Sequence, residues 1–545
     1  MLDLFVRWRK AGVLLVLLVS ACGGGGDSNK GSNSGQSTTV SPSSITFKAD
    51  SPTASTPDSQ VVSVTFGTNI AHLALTHQGL AIADVTATFS GRTAQVTIAP
   101  SIPLSTGPGL FDGKVAVTGY LCADATCSAF AAGETQTVDV HYQVSAGVAY
   151  VAPYVAMSQV AQNVIVRGFG FSHFNITDVH FGTATAASFL VVADNQIIVQ
   201  VPALPAGNYP VTIEATNHDG PIPTQATLTV VDPIAYPAQT LSYPAPATVV
   251  NSLVYDAERR SILVGTDAAG SQITRYTYDA GTWTPQSTSA ISPVRDLALS
   301  TNGAQIYAIS DTQLTIVNPT TLAAGTSFSA PDLQSDMVLR SIAMSNTNVA
   351  YITSAGQTAD EQSPVYAFSE LNGALNDVAS LNYGTVESNT SGTTIVAVQG
   401  DPVTTASAPV YVHRSTDTGT SFTPISLNLH QTAADTALDR SGSRVVFAGS
   451  VIYDNSFTTS ASIPVADYVA VSPDGNRIYA YYAGGNDLQT YDVSTYSDGA
   501  TLTSIGMTPL SANPGANVKM TITPDGQTLI IAGANQIVIQ PTPSF

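Results

Sequence analysis

Two stretches near the end of the chain decide the fold: VAVSPDGNRIYAYYAG (469–484) and MTITPDGQTLIIAGA (520–534). Each is a short apolar run, a Ser/Thr-Pro-Asp-Gly turn and a second apolar run. Pro presets φ, Asp can cap the turn and Gly accepts positive φ, so each stretch reads as two antiparallel strands joined tightly. The same outline recurs upstream in LVYDAERRSILVGT (253–266), LALSTNGAQIYAIS (297–310), IAMSNTNVAYITS (342–354), VESNTSGTTIVAVQG (386–400) and ALDRSGSRVVFAGS (437–450). The residues closing the seven turns are Arg259, Gly303, Asn348, Gly392, Gly442, Gly475 and Gly526, at spacings of 44, 45, 44, 50, 33 and 51. A hairpin repeated at this period is one structural unit used many times.

Most repeats are followed by two more strand-like runs, such as LQTYDVST (488–495) and ATLTSIG (500–506). The last has only NQIVIQ (535–540) before Pro541, which leaves it one strand short. The run AQTLSY (238–243), just ahead of the first repeat, can fill that place. Pairing the first segment with the last would leave no open sheet edge. The repeats resemble those of lactonase-like and quinoprotein-like propellers, and the resemblance implies a seven-bladed β-propeller over 234–545.

Two further regions precede the repeats. Residues 40–146 alternate apolar and polar positions in short runs, among them VVSVTF (61–66), GKVAVTGYLC (113–122) and QTVDVHYQV (136–144), which predicts a β-sandwich. The ending, CADATC followed by GETQTVDVHYQV, resembles Ig-like modules of bacterial surface proteins. Residues 147–233 contain NVIVRGFGF (163–171), VHFGTAT (179–185), IIVQVP (197–202) and AGNYPVTIEATN (206–217). This order resembles the IPT/TIG Ig-like domain across nearly its whole length. Gly168 and Gly170 suit a sharp bend at a strand end, with Phe169 and Phe171 sending their rings to different faces. Tyr209 is placed for a tyrosine-corner contact. The fold class expected is therefore all-β: two Ig-like β-sandwiches followed by a seven-bladed β-propeller.

The first 21 residues read as a signal peptide. Arg7, Arg9 and Lys10 precede a short apolar run, Ala11 to Val19, too short to span a bilayer. Val19-Ser20-Ala21-Cys22 resembles the lipobox of bacterial lipoproteins, which implies cleavage before Cys22, a lipid on its thiol and a membrane as partner. Gly23 stands where an Asp would resemble an inner-membrane retention signal, so the expected location is the cell envelope, at the outer membrane. Residues 22–39 are rich in Gly, Ser and Asn and read as a flexible tether.

Cysteine use agrees with export. With Cys22 assigned to lipid, Cys122 and Cys127 are an even pair, and in an oxidising compartment a pair this close predicts a disulfide across a turn. The chain has 545 residues with a formal charge of −20; without Asp3, Arg7, Arg9 and Lys10 the remainder carries −22. No basic stripe interrupts this acidity, so nucleic acid is not an expected partner.

Candidate chemistry is sparse. Ser415-Thr416-Asp417-Thr418-Gly419-Thr420-Ser421-Phe422 resembles the Asp-box, departing from it at Ser421 and Phe422. The resemblance implies a structural hairpin in which Asp417 accepts hydrogen bonds, Gly419 takes a strained φ and Phe422 packs inward. Sialidases carry this box, but their chemistry needs converging arginines, a Tyr–Glu pair and an acid. Several of the arginines of the repeats (Arg259, Arg260, Arg275, Arg295, Arg340, Arg414, Arg440, Arg444 and Arg477) sit in inter-strand turns, where a solvated surface role is expected. His413 and His430 are too few for a lactonase metal site. Trp283 is the only tryptophan after the signal segment, against the stacked aromatics that quinone enzymes use. The pairs His72/His77 and His173/His180 read as ordinary strand residues. No cofactor and no metal site is expected. Tyr479, Tyr481 and Tyr482 suit either a ligand-binding rim or cross-strand packing.

The function expected is a lipid-anchored, non-enzymatic binding or scaffold protein. Its Ig-like stalk would present a propeller surface to a protein or carbohydrate ligand. A propeller hydrolase, sialidase-like or lactonase-like, is the alternative.

Overall fold

Alternation of buried and exposed positions along short strands separates the chain into three sets of sheets. The computed structural model describes residues 37–247, 249–268, 272–356, 362–369, 373–382, 384–398, 409–414, 420–427, 436–447 and 450–545. Cys22, Ser415, Asp417, Gly419 and His430, with the expected signal peptide and most of the tether, lie outside the described residues. Strands make nearly all of the secondary structure.

In the first set, Ser44–Ala49 buries every second residue, so Ile45, Phe47 and Ala49 face one core. Two four-stranded sheets share that core, to which Val62, Val96, Val117 and Val140 also contribute. The longest hairpin among the described residues, Gly109–Cys122 with Phe130–Val144, ends at a Cys122–Cys127 disulfide. That is the bond the cysteine count predicts. Asp124 holds the tip by accepting from the Thr126 and Ser128 amides and hydroxyls.

Only the buried Ser145 and Ala146 separate this hairpin from Gly147–Ala152, the first strand of the second set. Here a five-stranded and a four-stranded sheet enclose Val164, Val166, Phe171, Phe181, Ile213 and Leu228. The glycines sit where the sequence implies a bend. The register with Gly147–Ala152 shifts between Arg167 and Gly168. A Cβ on Gly168 would lie 2.0 Å from the Gly147 carbonyl oxygen, and Gly170 takes φ +80. The Tyr209 hydroxyl donates to the Pro205 carbonyl at 2.9 Å, the corner contact expected of it.

From residue 239 onward the described strands form seven antiparallel sheets with a four-strand core each. Their first strands are Val250–Asp256, Asp296–Leu299, Val338–Met344, Thr385–Ser388, Thr436–Leu438, Tyr468–Val471 and Lys519–Ile522. The fifth sheet gains a short parallel strand, Ala500–Thr501. The turns follow the expected chemistry. The Ser472 hydroxyl donates to Asp474 and accepts from the Arg477 amide, and Gly475 has φ +72. Thr523, Asp525, Thr528 and Gly526 repeat the arrangement in the last sheet.

The seventh sheet is completed from the other end of the region. Gln239–Leu241 pairs antiparallel with Ile537–Pro541, Gln239 opposite Ile539 and Leu241 opposite Ile537. Tyr236, fully buried beside this strand, packs on Tyr278 and Trp283 at 4.7 and 4.9 Å between ring centroids. The first strand of each sheet neighbours that of the next, and Lys519–Ile522 neighbours Val250–Asp256. Side chains stitch adjacent sheets at matching positions. The Leu297 amide donates to Ser252 Oγ at 3.0 Å, the Ile342 amide to Asp296 Oδ2 at 3.0 Å, and Ser341 Oγ to the Val386 carbonyl at 2.9 Å. These links span 45, 46 and 45 residues, close to the period of the repeat.

Candidate functional site

The first strands of the seven sheets surround a central cavity of about 290 Å³. Five of the inner strands present half-buried positions to it, among them Val254, Ala298, Glu387, Leu438 and Met520, whereas residues 342–344 and 469–471 line it with buried side chains. Val254, Ala298, Leu299 and Ile522 line one stretch; Asp296, Glu387, Thr436 and Lys519 line another. A continuous space of about 310 Å³ adds Asn251, Arg295 and Arg340 to those four polar residues. Arg295 stands just before its inner strand and the other residues within the first three positions of theirs, whereas Arg440, Pro473 and Pro524 mark the end where the inter-strand turns lie.

The charged residues are held by specific partners. Asp296 Oδ1 accepts from the Leu297 amide at 2.8 Å and Oδ2 from the Ile342 amide at 3.0 Å. Burial pushes its carboxyl up, while the Lys519 charge and hydrogen bonds from Ser252 and the two amides pull it down. Arg295 Nε donates to Asp311 at 2.6 Å. Lys519 is the only lysine in residues 115–545.

At the turn end the second sandwich meets the sheets. The Tyr150 hydroxyl donates to the Asn346 carbonyl at 2.7 Å, and Arg167 Nη2 donates to Asn346 Oδ1 at 2.7 Å. The Tyr154 hydroxyl donates to Asp256 Oδ1 at 3.1 Å, and Arg440 Nη2 to the Val155 carbonyl at 3.5 Å. Val155 and Met157 form a small apolar core with Ala257. Burial pushes the Tyr150 and Tyr154 phenols up and the Arg167 and Arg440 guanidiniums down from their usual values.

The arginines of the repeats divide between two places. Arg259, Arg260 and Arg440 do sit at turns, but Arg295 and Arg340 border the central cavity. Counting each residue back from its turn would have found them, since they fall at the start of an inner strand. The tyrosines go the other way. Tyr479 and Tyr481 are buried between sheets, and the Tyr482 hydroxyl is tied to Tyr491 and the Pro464 carbonyl. They are packing residues and form no rim.

Of the Asp-box resemblance, Phe422 is described. Its ring meets Tyr351 edge-on at 5.0 Å, and His413 Nδ1 donates to the Ser421 carbonyl at 2.9 Å. His72 is buried against Tyr120 and Phe130. His173 lies 3.7 Å from Asp194, and His180 lies 3.8 Å from Glu214. No described helix is long and apolar enough to cross a membrane.

Comparison with known families identifies residues 151–230 as matching the IPT/TIG domain. The start and end of the match lie within the second sandwich. No curated protein matches the chain.

Proposed function

We propose that this chain is a lipid-anchored binding or scaffold protein of the cell envelope, in which two Ig-like modules carry a closed seven-bladed propeller. The IPT/TIG module supports a binding or scaffold role, because such a sandwich supplies a rigid surface on which a site can be built. The observation that carries the reading is the run of inner strands. Each neighbours the next in chain order, the last returns to the first, and a polar cavity remains between them. The strand Gln239–Leu241, borrowed from the start of the region, supports closure: it covers the edge that the last sheet would otherwise expose.

Anchoring rests on Cys22 and the basic-apolar-small order before it. Removing the thiol removes the acyl chains, each buried CH₂ of which contributes about 0.8 kcal/mol of membrane affinity. Cys22→Ser should therefore move the protein from the membrane to the soluble periplasmic fraction. An unmodified Cys22 in mass analysis of the mature N-terminus would contradict the anchor while leaving the propeller reading intact.

A hydrolase is the second reading, favoured by one observation: Asp296 and Glu387 line the same cavity, and burial raises the Asp296 carboxyl. Two carboxyl groups in different environments are what glycoside hydrolysis uses. That reading requires turnover of a glycoside or lactone that Glu387→Gln abolishes. Ligand binding without turnover supports the first.

A further inference from the structure

A cleft of about 240 Å³ opens at the seam where the second sandwich meets the turns of the first two sheets. The sandwich supplies the outer face of Thr227–Val231. Ala226, Leu228 and Val230 point into the sandwich core, so the alternate residues Gln225, Thr227 and Thr229 point outward. Asn208 stands opposite Thr229 on the neighbouring strand. The turns of the first and second sheets supply Glu258 and Asn302, and Tyr150 and Tyr154 complete the polar lining.

Some of these groups are already engaged. The Tyr150 and Tyr154 hydroxyls donate to the Asn346 carbonyl and to Asp256, which leaves their rings to line the space. Glu258 Oε2 receives Arg259 at 3.1 Å, and Asn302 Oδ1 accepts from the Ser300 hydroxyl and the Ala304 amide. By contrast, the side chains of Asn208, Gln225, Thr227 and Thr229 make no hydrogen bond among the described residues. Two amides and two hydroxyls therefore stand together with both donors and acceptors to offer.

We infer that this cleft binds one ring of a neutral sugar, held by Asn208, Gln225, Thr227 and Thr229. Sugar hydroxyls donate and accept, as these four side chains do, so both sets can be satisfied together. Thr227–Val231 is hydrogen-bonded to a strand on either side, so it offers a face and no open edge to a peptide backbone. Glu258 is the one charged residue in the lining, which disfavours a carboxylate or a phosphate. Arg259 is engaged by Asp256 and Glu258 and does not line the cleft. The volume stands below the roughly 300 Å³ at which pockets for drug-sized ligands begin, which suits a single ring. A sugar held there touches both modules. The site lies away from the central cavity and does not depend on closure of the ring.

The test is ligand-observed NMR titration of the full chain, in a detergent without a sugar headgroup, with glucose and galactose and with their uronates. At least one of the neutral sugars should bind. Its uronate should bind about fivefold more weakly or worse, from the repulsion of two like charges at contact distance in water. Asn208→Ala and Gln225→Ala should each weaken the neutral sugar by about two- to tenfold, the weight of one neutral hydrogen bond. Tm should not change, because neither side chain holds a bond within the protein. Thr227→Val keeps the side-chain shape and gives the same readout should either alanine disturb the fold. Binding of neither sugar by a protein with the parent melting profile overturns the site. So does binding that the Asn208→Ala/Gln225→Ala double variant leaves unchanged, which would place the ligand elsewhere and leave the binding role itself intact. Uronates bound as tightly as the sugars overturn the neutral ligand class.

Discussion

The Arg167 guanidinium donates to the Asn346 side-chain carbonyl at 2.7 Å across 179 residues of sequence, and the two residues are 4% and 0% exposed. This bond ties the second sandwich to a turn of the third sheet. A buried cation that loses an acceptor keeps its desolvation cost. Asn346→Ala should therefore lower stability by about 1.5–3 kcal/mol, seen as a reduced urea midpoint. An unchanged midpoint would mean that the two bodies are not joined there.

A glycine comparison tests the same junction sterically. Gly303 and Gly281 both have positive φ, +67 and +87, but a Cβ meets the Tyr154 ring at the first and nothing within 4 Å at the second. Gly281→Ala should cost roughly 1 kcal/mol of backbone strain. Gly303→Ala should cost about 1–3 kcal/mol more, because Tyr154 must shift. The double variant with Tyr154→Ala should show the two changes to be non-additive in melting experiments. Equal effects of the two alanines would place Tyr154 elsewhere.

Alkali should unfold the sheets in a defined window. Burial, with Asp377 and Asp332 nearby, pushes the Tyr366 phenol from its usual 10.0 up to about 12, and its hydroxyl donates to the Pro331 carbonyl at 2.8 Å. Burial also raises Tyr243, Tyr255 and Tyr276. The neutral form is held in the folded state, so this contribution is complete below pH 10 and is lost as pH rises through about 12. Urea midpoints should be level up to about pH 10 and fall beyond it. Replacing Tyr366 by Phe should make the fall shallower.

The Cys122–Cys127 bond closes a small loop, with a sequence separation of 5. Its thiols should resist alkylation in the native protein until a reductant is added. Reduction should lower stability by an amount at the low end of the usual 2–4 kcal/mol. Hydrogen bonds from Ser128 and Thr126 hold the Asp124 carboxyl well below the usual carboxylate range. The tip should keep its order on mild acidification and lose it only as pH falls through that depressed value. Free labelling of both cysteines before reduction would show the bond absent.

How far residues announce their role depends on how local their physics is. Thr523-Pro524-Asp525-Gly526 carries its own turn, so the hairpins and their repetition are legible in the chain. The pair Cys122/Cys127 and the corner at Tyr209 are legible for the same reason, since each partner lies within five residues. Pairing of Gln239–Leu241 with Ile537–Pro541 follows from a missing strand, a global argument that needs only the count of runs. The cavity residues are another matter. Arg340 and Lys519 look like any surface cation until the inner strands are set side by side, and Asp296 gives no sign that Ile342 will donate to it. The junction at Arg167 and Asn346 joins two modules that each read as self-contained, so neither sequence hints at the other.

The central claim is that the seven sheets form one closed, cooperative ring. It is tested most directly by comparing two deletions, residues 234–246 and residues 23–38, by thermal melting. The first removes the Gln239–Leu241 strand and the buried Tyr236, leaving Ile537–Pro541 with an unpaired edge. The second removes a Gly/Ser-rich segment and one hydrogen bond, from the Gly67 amide to Thr38 Oγ1 at 3.1 Å. The first should lower stability by several kcal/mol, on the order of 1 kcal/mol for each of several lost contacts, while the second should cost no more than about 1 kcal/mol, the weight of one hydrogen bond. Equal melting temperatures for the two deletions would contradict the closed ring.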